Sequence, residues 1–297
     1  MGMLQIIVSR LIYCLLPFCL FAQVSGQSSV WEVSKGESIV YLGGTCHVLR
    51  AADFPLPPEF YQAYAAADTL VFEIAPAEIK DPGFALSLMA RSRYTDGRTL
   101  KTVLSDEAYT ALAQEGQALG LPIEVLDGFK PGMAVMMLSF QALTRIGVTQ
   151  EGVDLHFSKL AEKDGKTIQA LETAEFQIDL ISTLGDGRED ELVLYSLQDL
   201  AHIETFFDAL IQAWRSGDVD ALEKGFVTEM KAGFPEIHAA MLADRNADWV
   251  PQIQAMLKTP ETEFVLVGVG HMPGSDGLLA LLQNEGYHIR QIQADAE

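Results

Sequence analysis

Apolar positions along the chain fall first into short unbroken runs and later into helical spacing. "SIVYL" (residues 38–42) and "TLVFEI" (69–74) are β-rich runs, and between them Pro57-Pro58 opens an alanine-rich helix reaching about Ala67, proline being tolerated in a first turn. Strand, helix and strand make a βαβ unit, so the two strands are expected to run parallel with a right-handed crossover. Ser105 caps a helix with Asp106 and Glu107 in its first turn and Gly120 at its end. "PIEVLDG" reads as a short strand, 132–146 as a methionine-rich helix, 152–162 as a helix and 166–171 as a short strand. From 174 to 257 apolar residues recur at spacings of three and four, as at Leu197, Leu200, Ile203, Phe207 and Leu210, so this section reads as almost wholly helical. Strands return at 263–267 and 287–292, either side of a helix that Ser275 is expected to cap. Strands at both ends with helices between them predict an α/β fold. Its mixed central sheet is formed by the N- and C-terminal segments, with a large helical insertion at about 174–257. No Ser/Pro/Gly-rich linker divides residues 27–297, which read as one domain.

The first 26 residues stand apart from this pattern. Arg10 is their only charge, 11–22 form an apolar block, and Val24-Ser25-Gly26 supplies small residues for cleavage. A basic start, a short apolar centre and a small-residue end describe a secretory signal peptide. The block is too short for the roughly 20 residues of a membrane span. The expected location is therefore the periplasm or the exterior, with no stable membrane span after cleavage. Cys14 and Cys19 leave with the signal, so Cys46 is single and stability has to come from the core. The formal charge of −21 becomes −22 without Arg10. So acidic a surface argues against nucleic acid and against anionic membrane as partners.

Candidate chemistry sits where strands end. "IVYLGGTCH" closes on Gly44-x-x-His47 and "FVLVGVGH" on Gly268-x-x-His271, while "TLVFEI" carries Glu73 in an otherwise apolar run. A carboxylate there is expensive to bury unless paired or metal-bound. In open α/β sheets ligands sit outside the carboxyl ends of strands, and Gly43, Gly44, Gly268 and Gly270 let the backbone turn sharply and approach closely. Two imidazoles and a carboxylate have the composition of a divalent-metal site, or of an acid/base pair with an orienting carboxylate. Both readings stay open at this point.

These residues carry a resemblance. The chain resembles the TraB/GumN family, related to the Tiki metalloproteases and more distantly to erythromycin esterase. It has the first GxxH (Gly44, His47), the "FE" strand (Phe72-Glu73) and the second GxxH (Gly268, His271). "VGVGHMPGSDGLLALLQNEGY" (267–287) is similar to the GumN-type ending, and "GVDLHF" (152–157) and "ALETAEFQ" (170–177) match internal stretches. The resemblance covers nearly the whole mature chain. It implies a metal-assisted hydrolase acting on peptides or another small substrate, with His47, Glu73 and His271 as catalytic and metal-binding centre and Mn, Co or Zn as the ion. Such a metal would polarise a carbonyl and make hydroxide available near neutral pH. It equally implies the metal-free route of the related esterase, in which a His and a Glu activate water. A non-catalytic binder of peptide, haem or metal in the same crevice is the reading from another class.

Further residues are weighed beside these. His156 and Asp154 in "GVDLHF" are two apart, so on a helix they do not share a face; Asp154 reads equally as a cap or as a site residue. Glu172 repeats the strand-end placement of Glu73, and Gln177 and Arg145 are donors that would support the site. Cys46 points away from its neighbour His47 on an extended segment and reads as a small buried filler. His202, His238 and His288 read as structural or exposed, and Met133, Met136 and Met137 as core packing.

Overall fold

The computed structural model describes residues 27–294. The signal-like stretch at 1–26 lies outside the described residues. Among those described, no helix is long and apolar enough to cross a membrane.

The described residues form eight strands: β1 Gln27–Lys35, β2 Ser38–Thr45, β3 Leu49–Arg50, β4 Thr69–Phe72, β5 Val148–Thr149, β6 Thr167–Ala170, β7 Glu263–Gly268 and β8 His288–Gln293. Six of them form one mixed sheet in the order β6-β4-β7-β2-β1-β8, and β3 and β5 pair as a small ribbon. β6, β4, β7 and β2 are parallel; β1 runs antiparallel to both its neighbours. The expected parallel relation of β2 and β4 holds, with β7 from the far end of the chain lying between them.

β4 and β7 are buried at every position because helices cover both faces of the sheet, as a parallel sheet requires. The period of two sorts their side chains. Leu70, Phe72, Phe264 and Leu266 pack on one face with Phe60, Phe157 and Trp214. Val71, Val265 and Val267 pack on the other with Trp249, Ile253, Leu278 and Leu282. A separate helical cluster holds Leu100, Leu112, Leu126, Leu138 and Val193.

Five elements depart from the sequence reading. β1, "QSSVWEVSK", carries too many polar residues to stand out as a run, yet it pairs along both edges. "PIEVLDG" holds a short helix, Ile123–Leu126, rather than a strand, and Leu126 joins the helical cluster. The helix 278–284 begins after Gly277, not at Ser275. Helices Pro76–Lys80 and Pro82–Arg91 went unforeseen; the second buries no side chain, and Leu86 is 71% exposed.

Because β2, β4, β6 and β7 point the same way, their carboxyl ends (Thr45, Phe72, Ala170 and Gly268) line one edge of the sheet. His47, Glu73, Glu172 and His271 each follow one of these ends within three residues. That edge positions the site.

Candidate active site

Gly268 is the centre of the arrangement. A Cβ added there would lie 3.2 Å from His47 Nε2, 3.3 Å from Glu73 Oε1 and 3.7 Å from His271 Cδ2, so the strand end stays bare to let three side chains converge. The Gly268 N–H donates to Glu73 Oε1 at 2.7 Å. His47 Nε2 lies 3.7 Å from the same oxygen.

His47 and Asp154 form a dyad. His47 Nδ1 is 2.9 Å from Asp154 Oδ2, and the Thr45 hydroxyl donates to Asp154 Oδ1 at 3.1 Å. Asp154 sits in the first turn of the helix Val153–Asp164. That turn abuts the loop after β2, with the Val153 N–H donating to the Cys46 carbonyl. Gly152 permits the contact, since a Cβ on it would fall 2.1 Å from the His47 carbonyl oxygen. With Nδ1 committed to Asp154, His47 turns Nε2 towards Glu73 and the open rim, its side chain 60% exposed. Asp154 beside the imidazole raises the His47 pKa to about 9.

Behind this rim lies a buried ionic knot around Arg245. Its guanidinium donates to Glu73 Oε2, to both oxygens of Glu172 (2.8 and 2.9 Å) and to the Met241 carbonyl, and stands 3.1 Å from His271 Nε2. Gln177 Nε2 donates to Glu73 and Glu172 at 3.2 and 3.1 Å, and the Trp249 indole to Glu172 at 3.0 Å. An arginine offers only donors, so His271 Nε2 accepts; its proton sits on Nδ1, 2.7 Å from Asn246 Oδ1. His271 is therefore neutral. Burial pushes its pKa down, to about 3, with the Arg245 charge adding to the effect. Burial alone would push the Glu73 carboxyl up, but the neighbouring positive charges and the Gly268 N–H outweigh it and hold it below the usual carboxylate range. Trp249 packs against His271 with ring centroids 4.4 Å apart and the rings tilted by 40°.

The TraB/PrgY/gumN family profile matches residues 29–291. The chain belongs to that family. No curated protein and no solved structure matches it.

Within this family member, the residues singled out from sequence sort into three groups. His47, Glu73 and His271 converge, joined by Asp154, Glu172 and Gln177. Gly268 is the glycine that clears the site, whereas Gly43 makes room for Phe264 and Leu266, Gly44 for Val269, and Gly270 has only ordinary contacts. His156 and Arg145 do not take part. His156 Nε2 bonds the Tyr61 hydroxyl at 3.1 Å within an aromatic cluster, on the face of its helix that Asp154 does not share, and Arg145 is exposed at the end of the helix Pro131–Arg145. Cys46 is buried, and burial pushes its thiol up, away from the reactive thiolate.

Arg245, Asn246 and Trp249 escaped the sequence reading. The signal was there: Leu242, Arg245, Trp249 and Ile253 keep helical spacing, which puts an arginine on a core-facing stripe.

The same arrangement tests a metal. An ion shared by Glu73 and His271 needs the Nε2 lone pair of His271, with bonds near 2 Å. That lone pair accepts from Arg245, and Nδ1 is taken by Asn246. Among the described residues, no three His, Cys, Asp or Glu side chains are grouped to hold an ion. In this arrangement His271 is not free to share an ion with Glu73, and Arg245 supplies the positive charge between those two groups; His47 Nε2 stands 3.7 Å from Glu73 Oε1 on the open side.

Proposed function

We propose that the protein is an exported hydrolase of small peptide or ester substrates in which His47, oriented by Asp154, takes a proton from water at the open rim. The observation that carries this reading is the dyad itself: Nδ1 2.9 Å from a carboxylate and Nε2 directed to solvent beside an ionised glutamate. An orienting carboxylate fixes the tautomer and stabilises the imidazolium that forms. Glu73, bonded to the Gly268 N–H and to Arg245, holds the water's side of the site negative. Arg245 balances Glu73 and Glu172 from within. The basic, apolar and small-residue order of residues 1–26 supports export.

The test is turnover of a panel of peptides and 4-nitrophenyl esters after dialysis against chelator, with His47→Ala beside the wild type. Hydrolysis that persists in chelator and falls by about 10²–10⁴-fold in His47→Ala supports the reading. Activity appearing only with added Mn, Co or Zn ions would instead favour a metal-dependent peptidase in which Arg245 has swung away from His271. Ligand binding without turnover by either protein would leave a binding protein.

A further inference from the structure

The turn that carries His271 has a second side. Gly268 faces the reactive groups, but a Cβ on Gly270 would lie 3.8 Å from both Phe226 Cδ1 and Leu242 Cδ2. Those two residues belong to π-helical segments, Glu223–Val227 and Ala239–Ala243. Such segments are rare, and they recur beside functional sites. Here two of them clasp one catalytic turn.

Between the first π segment and the helix Ile203–Ser216 opens a cavity of about 90 Å³, lined by Phe206, Leu210, Ala213, Leu222, Gly225 and Phe226 among others. All its lining residues are apolar. Phe206 and Phe226 stack with centroids 5.2 Å apart to form one wall. Water gains no hydrogen-bond partner from side chains of this kind, so the cavity suits an apolar occupant. Its volume exceeds the roughly 10–15 Å³ that one water needs and falls short of the roughly 150 Å³ that holds benzene. Phe226 joins the two places: it lines the cavity and packs on Gly270, two residues beyond the glycine that faces His47 and Glu73. Two residues span at most about 7 Å, so Phe226 brings the cavity wall close to the turn whose other side faces the reactive groups.

We propose that this cavity is an apolar subsite of the reaction centre, taking a small aliphatic group of the substrate: a leucine- or valine-like side chain, or the end of a short acyl chain. The proposal rests on the hydrolase reading above. Gly225 provides the test, because a Cβ there meets nothing within 4 Å. Gly225→Leu therefore adds a side chain to the lining from an unobstructed Cβ, and Ala221→Leu adds one independently from the same lining.

The measurement is kcat/KM for 4-nitrophenyl acetate and hexanoate, and for alanine- and leucine-containing peptides of equal length. A buried methylene is worth roughly fourfold, so wild type should favour the longer chain or larger side chain by at least about tenfold, and each substitution should remove that preference. A preference among esters alone assigns an acyl chain; one among peptides alone assigns a side chain. Equal kcat/KM for short and long substrates, or a ratio that survives both substitutions, overturns the subsite. If wild type hydrolyses nothing in either series, the hydrolase reading has failed and binding decides separately. Saturation-transfer NMR with hexanamide should then show contact with wild type that Gly225→Leu abolishes, and no contact with wild type would overturn the subsite itself.

Discussion

Asp154 sets the working state of His47, and this has a direct kinetic consequence. With the imidazole pKa raised to about 9, its neutral, proton-accepting form grows as pH climbs from 7 towards 9. Water partly screens so exposed a pair, but the direction stands. Activity should therefore rise over that interval. Asp154→Asn should move the midpoint back towards 6.5 and lower kcat by about 10²-fold; a pH–rate profile for both proteins, read with an NMR titration of His47, checks this. A wild-type rate that falls between pH 7 and 9 would assign His47 the opposite role, as proton donor. The two site histidines also act oppositely on stability. The folded-state pKa of His47 lies above the unfolded value, so its contribution is complete below about 6.5 and is lost as pH rises through about 9. That of His271 lies below, to about 3, so the unfolded chain binds more protons and stability falls as pH drops below about 6.5. Tm followed against pH should peak between these limbs, and Asp154→Asn should flatten only the alkaline one.

At the scale of elements, the site is where separate pieces are pinned together. Arg245 bonds the ends of β4 and β6 to the helix Asp244–Met256. Losing one partner of a buried ion cluster leaves the others uncompensated, at about 3–5 kcal/mol. Arg245→Met should be destabilised by that amount in urea, since it strands the charges of Glu73 and Glu172. Gly152 pins the helix Val153–Asp164 to the loop after β2. A methyl group 2.1 Å from the His47 carbonyl forces that helix away, so Gly152→Ala should lose about 2–3 kcal/mol and part the dyad. A Tm within 2 °C of wild type would contradict this. Legibility from sequence followed the same physics. β4 and β7 were readable because apolar side chains point to both covered faces, and Glu73 stood out against them. Arg245 breaks an apolar stripe in the same way, but helical spacing spreads that stripe over many residues, and the long stem of arginine is common on surfaces. The helix Pro82–Arg91 buries nothing, so no core-facing stripe announced it.

The whole molecule is closed by its ends. β1, near the start of the described residues, is covered along one edge by β8, near their finish, and β7 inserts between β2 and β4. The mixed sheet built from both termini was legible because apolar runs flank a long helical stretch; the order within it was not, because register and neighbour choice depend on contacts across more than two hundred residues. Deleting residues 288–297 should uncover the β1 edge, with Trp31 and Val33 now beside unpaired backbone groups. Size-exclusion chromatography should find that truncated chain aggregated, and a soluble monomer with an unchanged unfolding transition would contradict the closing role of β8.

Trp249 gives this architecture an optical consequence. The chain has three tryptophans, and this one donates its indole N–H to Glu172 while its ring lies against His271. Its emission is therefore coupled to the charge and position of the groups beside it. In a protein whose Trp31 and Trp214 are replaced by phenylalanine, intrinsic fluorescence becomes a label-free gauge of events at the rim, built into the interior and needing no added dye.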